Sequence, residues 1–274
     1  MAETEKGLQL IDSHCHLDFK DFDDDLPSVI ARADAAGILR LLTISTSLRE
    51  LAKLIAITEK YPAIYCTVGV HPHNAQKEGV NDPQKILNLL EYKKIIGIGE
   101  SGLDFHYDFS EINSQRENFL SHIDASRTTG LPLIIHSRDA DDEMGEILEQ
   151  EQKKGEFPFI LHCFTGGQKL ADIAIELGGF LSVSGIITFK NATKLRSVIK
   201  TVPIERLLIE TDAPYLSPVP FRGVRNEPAN LIYTFEELQK VKDCPSDELA
   251  FHTTDNFFRL FTKMPKLDTS IEKN

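Results

Sequence analysis

Near its start the chain reads LIDSHCHLD, Leu10 to Asp18, with Asp12, His14 and His16 at alternating positions. In a β-strand alternate side chains share a face, so these three would project together, with Ile11, Ser13 and Cys15 opposite. Buried polar groups are costly unless satisfied, and a metal ion would satisfy two imidazoles and neighbouring carboxylates. Similar residues close later apolar runs: His71 and His73 in GVHPH, Glu100 in IGESGLD, His136 and Arg138 in IIHSRDA, His162 in LHCFTG, and Asp212 in IETDAPYL. Any one of them reads equally well as a hydrogen-bonded polar residue at a helix entry. Their recurrence at the ends of successive runs is what chance does not supply.

The elements that must position these residues alternate along the chain. Short, β-branched runs (LQLIDSH, RLLTIST, AIYCTVGV, KIIGIGES, LPLIIHS, FPFILHC, GFLSVSG, RLLIETD) predict eight strands. Between them lie amphipathic stretches such as DDLPSVIARADAAG, LRELAKLIAITEKYP, NDPQKILNLLEYK and SQRENFLSHIDASRTTG, several of them ending in Gly or Pro. Eight strand–helix units over about 250 residues are what a (β/α)8 TIM barrel needs. An open doubly wound sheet would alternate in the same way, but no GxGxxG follows the first strand. The polar residues decide between the two. They close the first, third, fourth, fifth, sixth and eighth runs, so one shared site requires the first and eighth strands to be neighbours, which closure achieves. The chain therefore reads as an α/β protein with a single barrel domain over residues 8–262, a polar leader at 1–7 and a polar tail at 263–274.

Composition narrows the classes. A hydrophobic fraction of 41% over 274 residues supports a substantial core. The opening MAETEKG shows no secretory pattern and no run is long enough to span a bilayer. Cys15, Cys66, Cys163 and Cys244 are scattered and form no CxxC pair, which fits a reducing cytoplasm and offers no thiolate metal cage. Thirty basic against 42 acidic residues leave a net charge of −12, which argues against a broad basic track for long nucleic acid. A small nucleic-acid substrate remains compatible, since bound cations would reverse the field inside one pocket.

Taken together, DSHCHLD, GVHPH, GESGLD, IHSRDA, HCFTG, SGIITFKNA, ETDAPYL and RGVRNEP resemble the TatD family of metal-dependent deoxyribonucleases, within the wider metal-dependent hydrolase barrels. The resemblance runs over roughly residues 8–262, in the expected order. It implies metal ligands at His14, His16, Glu100, His136, His162 and Asp212. His14 and His16 would share one divalent ion with Asp212, His136 and His162 would hold a second, and Glu100 would bridge them. Imidazoles suit Zn²⁺, while carboxylates and a phosphate substrate suit Mg²⁺ or Mn²⁺. Asp212 is the implied general base, with pure ligation as its other role. His106, in DFHYDFS, is given no ligand role, and Asp12 is left outside the site.

Substrate capture is expected from His71, His73, Arg138, Arg222 and Arg225, since guanidinium groups grip phosphate bidentately. Asn226 and Glu227 are read as shaping the loop they share with the last two arginines. The activity implied is 3′-to-5′ exonucleolytic hydrolysis at the ends of DNA, with RNA also open. No membrane and no obligate protein partner is expected. The competing reading is a barrel metallohydrolase for a small amide, lactone or phosphoester. Many such enzymes bridge their metals with a carboxylated lysine, and Glu100 at that strand end favours the nuclease branch. A scaffold with a dead site is disfavoured by the complete ligand set.

Overall fold

The computed structural model describes residues 8–265, so the leader at 1–7 and residues 266–274 lie outside the described part. Eight strands, β1 (Leu10–Cys15), β2 (Ile38–Thr43), β3 (Ile64–Val68), β4 (Ile95–Asp104), β5 (Leu133–Arg138), β6 (Phe159–Leu161), β7 (Phe180–Val183) and β8 (Leu207–Ile209), pair in parallel in sequence order. Just past β8, Ala213 bridges to Cys15 in parallel. The Asp212 amide donates to the His14 carbonyl at 2.9 Å and the His16 amide to the Ala213 carbonyl at 2.8 Å. The sheet thereby curls until its two edges meet: a (β/α)8 barrel, as expected.

Two apolar layers hold this shape. Ile11, Leu42, Ile44, Ile96, Ile134, Ile160, Phe180 and Leu208 contribute from seven strands, or their immediate ends, to an interior cluster. That cluster is closed by Phe257, Phe258, Leu260, Phe261 and Met264, from the C-terminal helix Ser246–Leu260 and the residues after it. The second layer lies between strands and outer helices and contains Leu10, Cys66, Ile98, Ile135, Leu161 and Ile209. Lys263 and Met264 belong to the barrel, not to the tail in which the sequence placed them. Lys263 Nζ donates to the Ile95 carbonyl at 2.7 Å, and Met264 is buried.

Two further expectations need correcting. NDPQKILNLLEYK is helical only over Gln84–Leu87, with turns beyond. Pro83 sets the start of that turn, and Gly79, at φ +55°, ends the preceding turn Ala75–Glu78, so no long helix joins β3 to β4. Strict alternation along β1 also fails. Leu10 and Cys15, of opposite parity, share the outer layer, and the pairing with β2 slips between Asp12 and Cys15. Asp12 consequently turns to the β8 end, where it accepts from the Thr211 amide at 3.0 Å and the Thr211 hydroxyl at 2.5 Å.

The helix Ile112–Thr129 sets the loop after β3. Its Asn118 amide group donates to the Val70 carbonyl at 2.8 Å, and His122 Nε2 accepts from the Val70 amide at 3.0 Å. Both backbone groups beside His71 are thus held by buried side chains. Burial pushes the His122 imidazole from its ordinary 6.5 down to about 4. Between those values the unfolded chain binds a proton that the folded chain refuses, so this contribution is complete above pH 6.5 and fades as pH falls. Urea unfolding in chelator should show the wild type losing about 3 kcal/mol more than His122→Gln between pH 7 and pH 4. Parallel stability curves for the two proteins would refute this.

Candidate metal centre

The C-terminal strand ends deliver the site. β4 is the longest strand and is buried throughout, and its pairing with β5 slips between Ile98 and Ser101, on either side of Glu100. Gly102 pairs with His136 at φ +149°, and a Cβ there would collide with the His136 carbonyl. Only glycine lets β4 and β5 approach this closely, which brings Glu100 beside His136.

Glu100, 2% exposed, is the centre. Its Oε1 lies 2.6 Å from His162 Nε2 and 2.8 Å from His136 Nδ1, and those two nitrogens are 3.3 Å apart. Its Oε2 faces His14 Nε2 at 3.5 Å and His16 Nε2 at 4.0 Å. Asp212 Oδ1 completes that side, 3.3 Å from His16 Nε2 and 3.6 Å from His14 Nε2. The six ligands named from the sequence therefore converge. Burial pushes the Glu100 carboxyl up, but His162, His71, His136 and His14 around it outweigh that and hold it well below the usual range. Asp212 is likewise raised by burial yet held below its ordinary value, first by the His16 hydrogen bond.

The donor set suits cations. His16 Nδ1 faces the Ile44 carbonyl at 3.4 Å, an acceptor only, so with a metal bound the neutral ring would keep its proton there and turn its Nε2 lone pair inward, in place of the hydrogen bond Nε2 otherwise makes to Asp212. That lone pair would meet His14 Nε2 at 3.3 Å. Inward-facing lone pairs beside two carboxylates repel one another without a positive charge between them, and imidazole with carboxylate is a common divalent-metal set.

His71 reaches the same centre, with Nε2 3.5 Å from Glu100 Oε1, but in another capacity. Its Nδ1 accepts from the His73 amide at 3.1 Å, so the neutral ring carries its hydrogen on Nε2. Burial keeps this imidazole well below its ordinary pKa. It presents a donor where a ligand would present a lone pair.

His73 Nε2 and His136 Nε2 share Asp104 Oδ2, at 2.8 and 3.0 Å, and His162 Nδ1 lies 3.4 Å from Glu210 Oε1. The sequence reading missed both Asp104 and Glu210. A signal existed: Asp104 is four residues after Glu100 and Glu210 two before Asp212, spacings that share a face in a strand. His106 pairs with the exposed Asp139 at 2.9 Å, away from the ligands, as read.

The three arginines divide. Arg138 is exposed, forms no ion pair among the described residues, and lies with its guanidinium 4.8 Å over the Tyr107 ring. Arg222 also lacks a carboxylate partner among the described residues and lies 3.6 Å over Phe189. Arg225 is committed instead to Asp25, with both guanidinium NH groups donating at 2.8 Å, so it ties the loop after β8 to the rim near the helix Leu26–Ala35. Glu227 does similar work by accepting from Arg32, and Asn226 bonds the Thr211 and Tyr215 carbonyls, so both shape the loop as expected.

The family model for TatD related DNase matches residues 11–262. This chain belongs to that family. It is 39% identical over 252 residues to the uncharacterized metal-dependent hydrolase YabD of Bacillus subtilis (strain 168), covering 92% of this chain and 98% of that one. The similarly named YcfH of Escherichia coli (strain K12) is 38% identical over 258 residues, covering 92% and 95%. The crystal structure of YjjV, a TatD homologue from Escherichia coli K12, superposes with a TM-score of 0.86 at 30% identity, over 94% of this chain and 99% of that one. As a TatD-family member the protein is a metal-dependent hydrolase, and His14, His16, His136 and His162, with Glu100 and Asp212, are the groups that would hold metal.

Metal binding to the folded state alone must raise stability, by about 2.7 kcal/mol at a free concentration one hundred times Kd. Chelator-stripped protein should therefore show a rising thermal midpoint on titration with Zn²⁺ or Mn²⁺. His14→Ala/His162→Ala should abolish the rise. A midpoint indifferent to every divalent ion would remove metal from this cluster.

Proposed function

We propose that this TatD-family hydrolase cleaves phosphodiester bonds at the ends of DNA, as a 3′-to-5′ exonuclease, with RNA as a possible second substrate. The observation that carries the reading is the division of Glu100, whose two oxygens face separate histidine pairs. That arrangement suits two divalent ions: one with His14, His16 and Asp212, the other with His136 and His162. When bound, such ions lower the pKa of coordinated water and neutralise charge on the attacked phosphate. The chain supplies the rest. Asp212 accepts the proton of the attacking water, while the His71 Nε2–H donates to a phosphate oxygen.

Arg138 and Arg222, free of carboxylate partners, are suited to neighbouring phosphates, and His73 flanks the same mouth. Arg225 has its donors committed to Asp25 and is assigned to holding the loop. Exposed aromatic rings stand on both sides: Tyr107 (41% exposed) and Phe109 (57%) beside His73, and Tyr215 (53%) near His16. Unstacked bases gain roughly 1–3 kcal/mol each on such surfaces. The net charge of −12 fits a short footprint at a chain end better than a long track. The four cysteines are free thiols, and we place the protein in the reducing cytoplasm on that basis.

Digestion of end-labelled single- and double-stranded DNA and RNA under titrated Mg²⁺, Mn²⁺ or Zn²⁺ tests the reading. Stepwise loss from the 3′ end is expected, with circular single strands left largely intact. Rapid cutting of circles would overturn the end-directed mode. Inertness toward all nucleic acid, with turnover of a small lactone, amide or phosphoester, would overturn the nuclease assignment. Reconstituted protein should contain close to two metals per chain by elemental analysis, and fewer after His136→Ala/His162→Ala.

Two substitutions probe the roles. Asp212→Asn should cost about 10²–10⁴-fold in turnover at equal metal occupancy, the usual contribution of a general base. Near-normal turnover at full occupancy would leave Asp212 a ligand only. Arg138→Ala should reduce the salt dependence of binding by roughly one phosphate's worth. An unchanged salt slope would remove that contact.

A further inference from the structure

His136 and His162 face Glu100 through different ring nitrogens. In His136 it is Nδ1 that lies 2.8 Å from Glu100, and Nε2 that lies 3.0 Å from Asp104 Oδ2. In His162 it is Nε2 that lies 2.6 Å from Glu100, and Nδ1 that lies 3.4 Å from Glu210 Oε1. A neutral imidazole has one N–H and one lone pair. A carboxylate behind the ring takes the N–H and leaves the lone pair facing the centre.

The two carboxylates are themselves placed for this. Asp104 is 1% exposed, and its Oδ1 accepts from the backbone amides of His106 and Tyr107 at 3.0 and 3.1 Å. Its other oxygen is thereby aimed at His136. Glu210 is fully buried, and neither of its oxygens makes a hydrogen bond of ordinary geometry. Its ion-pair partner among the described residues is His162 Nδ1, itself otherwise without a partner. A fully buried carboxylate with no other interaction is a heavy cost for a fold to carry. The other histidine pair lacks such backing among the described residues: His14 Nδ1 has no partner there and His16 Nδ1 meets a carbonyl.

We propose that Asp104 and Glu210 are positioning residues that lock His136 and His162 in opposite tautomers, so that metal held by this pair depends on them while metal held by His14 and His16 does not. The inference rests on the metal reading of the centre and is independent of the nuclease reading. It extends the role of Asp104 beyond the loop it caps and gives Glu210 a reason to be charged and buried.

The test uses chelator-stripped full-length protein titrated with Co²⁺, followed by visible absorption and calorimetry. The binding event that needs the β5–β6 pair is identified as the one lost in His136→Ala/His162→Ala. Glu210→Gln and Asp104→Asn should each weaken that event by roughly 10–100-fold and leave any event that needs His14 and His16 within twofold. In the Zn²⁺-loaded wild type, ¹⁵N spectra of the histidines should report an Nε2–H for His136 and an Nδ1–H for His162. Unchanged affinity in both variants, or the reverse tautomer in either ring, would overturn the proposal. Equal weakening of all metal binding, with a lowered thermal midpoint of the metal-free variants, would assign both residues a merely structural role and also overturn it. Should Glu210→Gln fail to fold, Asp104→Asn and the wild-type spectra still decide the matter.

Discussion

A carboxylate buried from water and surrounded by imidazoles is the constraint around which this molecule is organised. Glu100 has no arginine or lysine ion-pair partner among the described residues, and four of the histidines that surround it come from three other strands. A charge taken out of water at this depth costs several kcal/mol unless its neighbours compensate. The compensation must arrive from β1, β5 and β6 together, with Asp212 after β8 facing two of the same rings. An edge-to-edge gap between β1 and β8 would leave Asp212 and the β1 histidines apart. Closure of the sheet and assembly of the site are therefore one event, stitched by the Asp212–His14 and His16–Ala213 backbone bonds and by Asp12 gripping Thr211.

The division of labour between the barrel's two ends follows from the same constraint. At the end closed by the last helix the interior is filled by isoleucine, leucine and the phenylalanines from that helix and the residues after it, an apolar layer. Such packing can be rigid without being specific. At the C-terminal ends the chain departs from regular strand geometry, with Cys163 and Asp212 at φ +43° and +55° and pairing slips in β1 and β4. These irregularities re-aim side chains that a regular pleat would point elsewhere.

This contrast explains what was legible in the sequence. Strand–helix alternation and the recurrence of His, Glu and Asp at run ends gave the architecture and the candidate polar residues, because both follow from period and position, while the ligand set was what the resemblance to the TatD family implied. Which nitrogen of His136 or His162 points inward does not, because it depends on a partner at the back of the ring. Asp104 and Glu210 were in plain view inside GESGLD and ETDAPYL, yet their use depends on β4 and β8 lying beside β5 and β6 or across from them. Arg225 shows a related limit. Its type suits phosphate, but the Asp25 that occupies it is 200 residues away in the chain. The β1 alternation failed where the site begins, as it does when function overrides a local rule.

The acidity of the centre bears on the order in which its partners must arrive. Glu100, Asp104, Asp212 and Glu210 all lie within contact of the same ring of histidines. To an approaching phosphate this is a repulsive surface, made more so by a protein whose overall charge is −12. His71 offers a neutral donor, and Arg138 and Arg222 stand at the rim where solvent screens them. None of these reverses the field at the bottom of the pocket. Divalent cations would, since bound ions are the largest local charges in such sites. On the proposed phosphodiesterase reading, metal and anionic substrate would be thermodynamically coupled through the carboxylates: each metal bound would make the phosphate more welcome, and by reciprocity each phosphate bound would hold the metal more firmly. An acidic pocket in an acidic protein is thus no obstacle to an anionic substrate. On that reading it would make substrate binding conditional on the ions that the proposed chemistry requires.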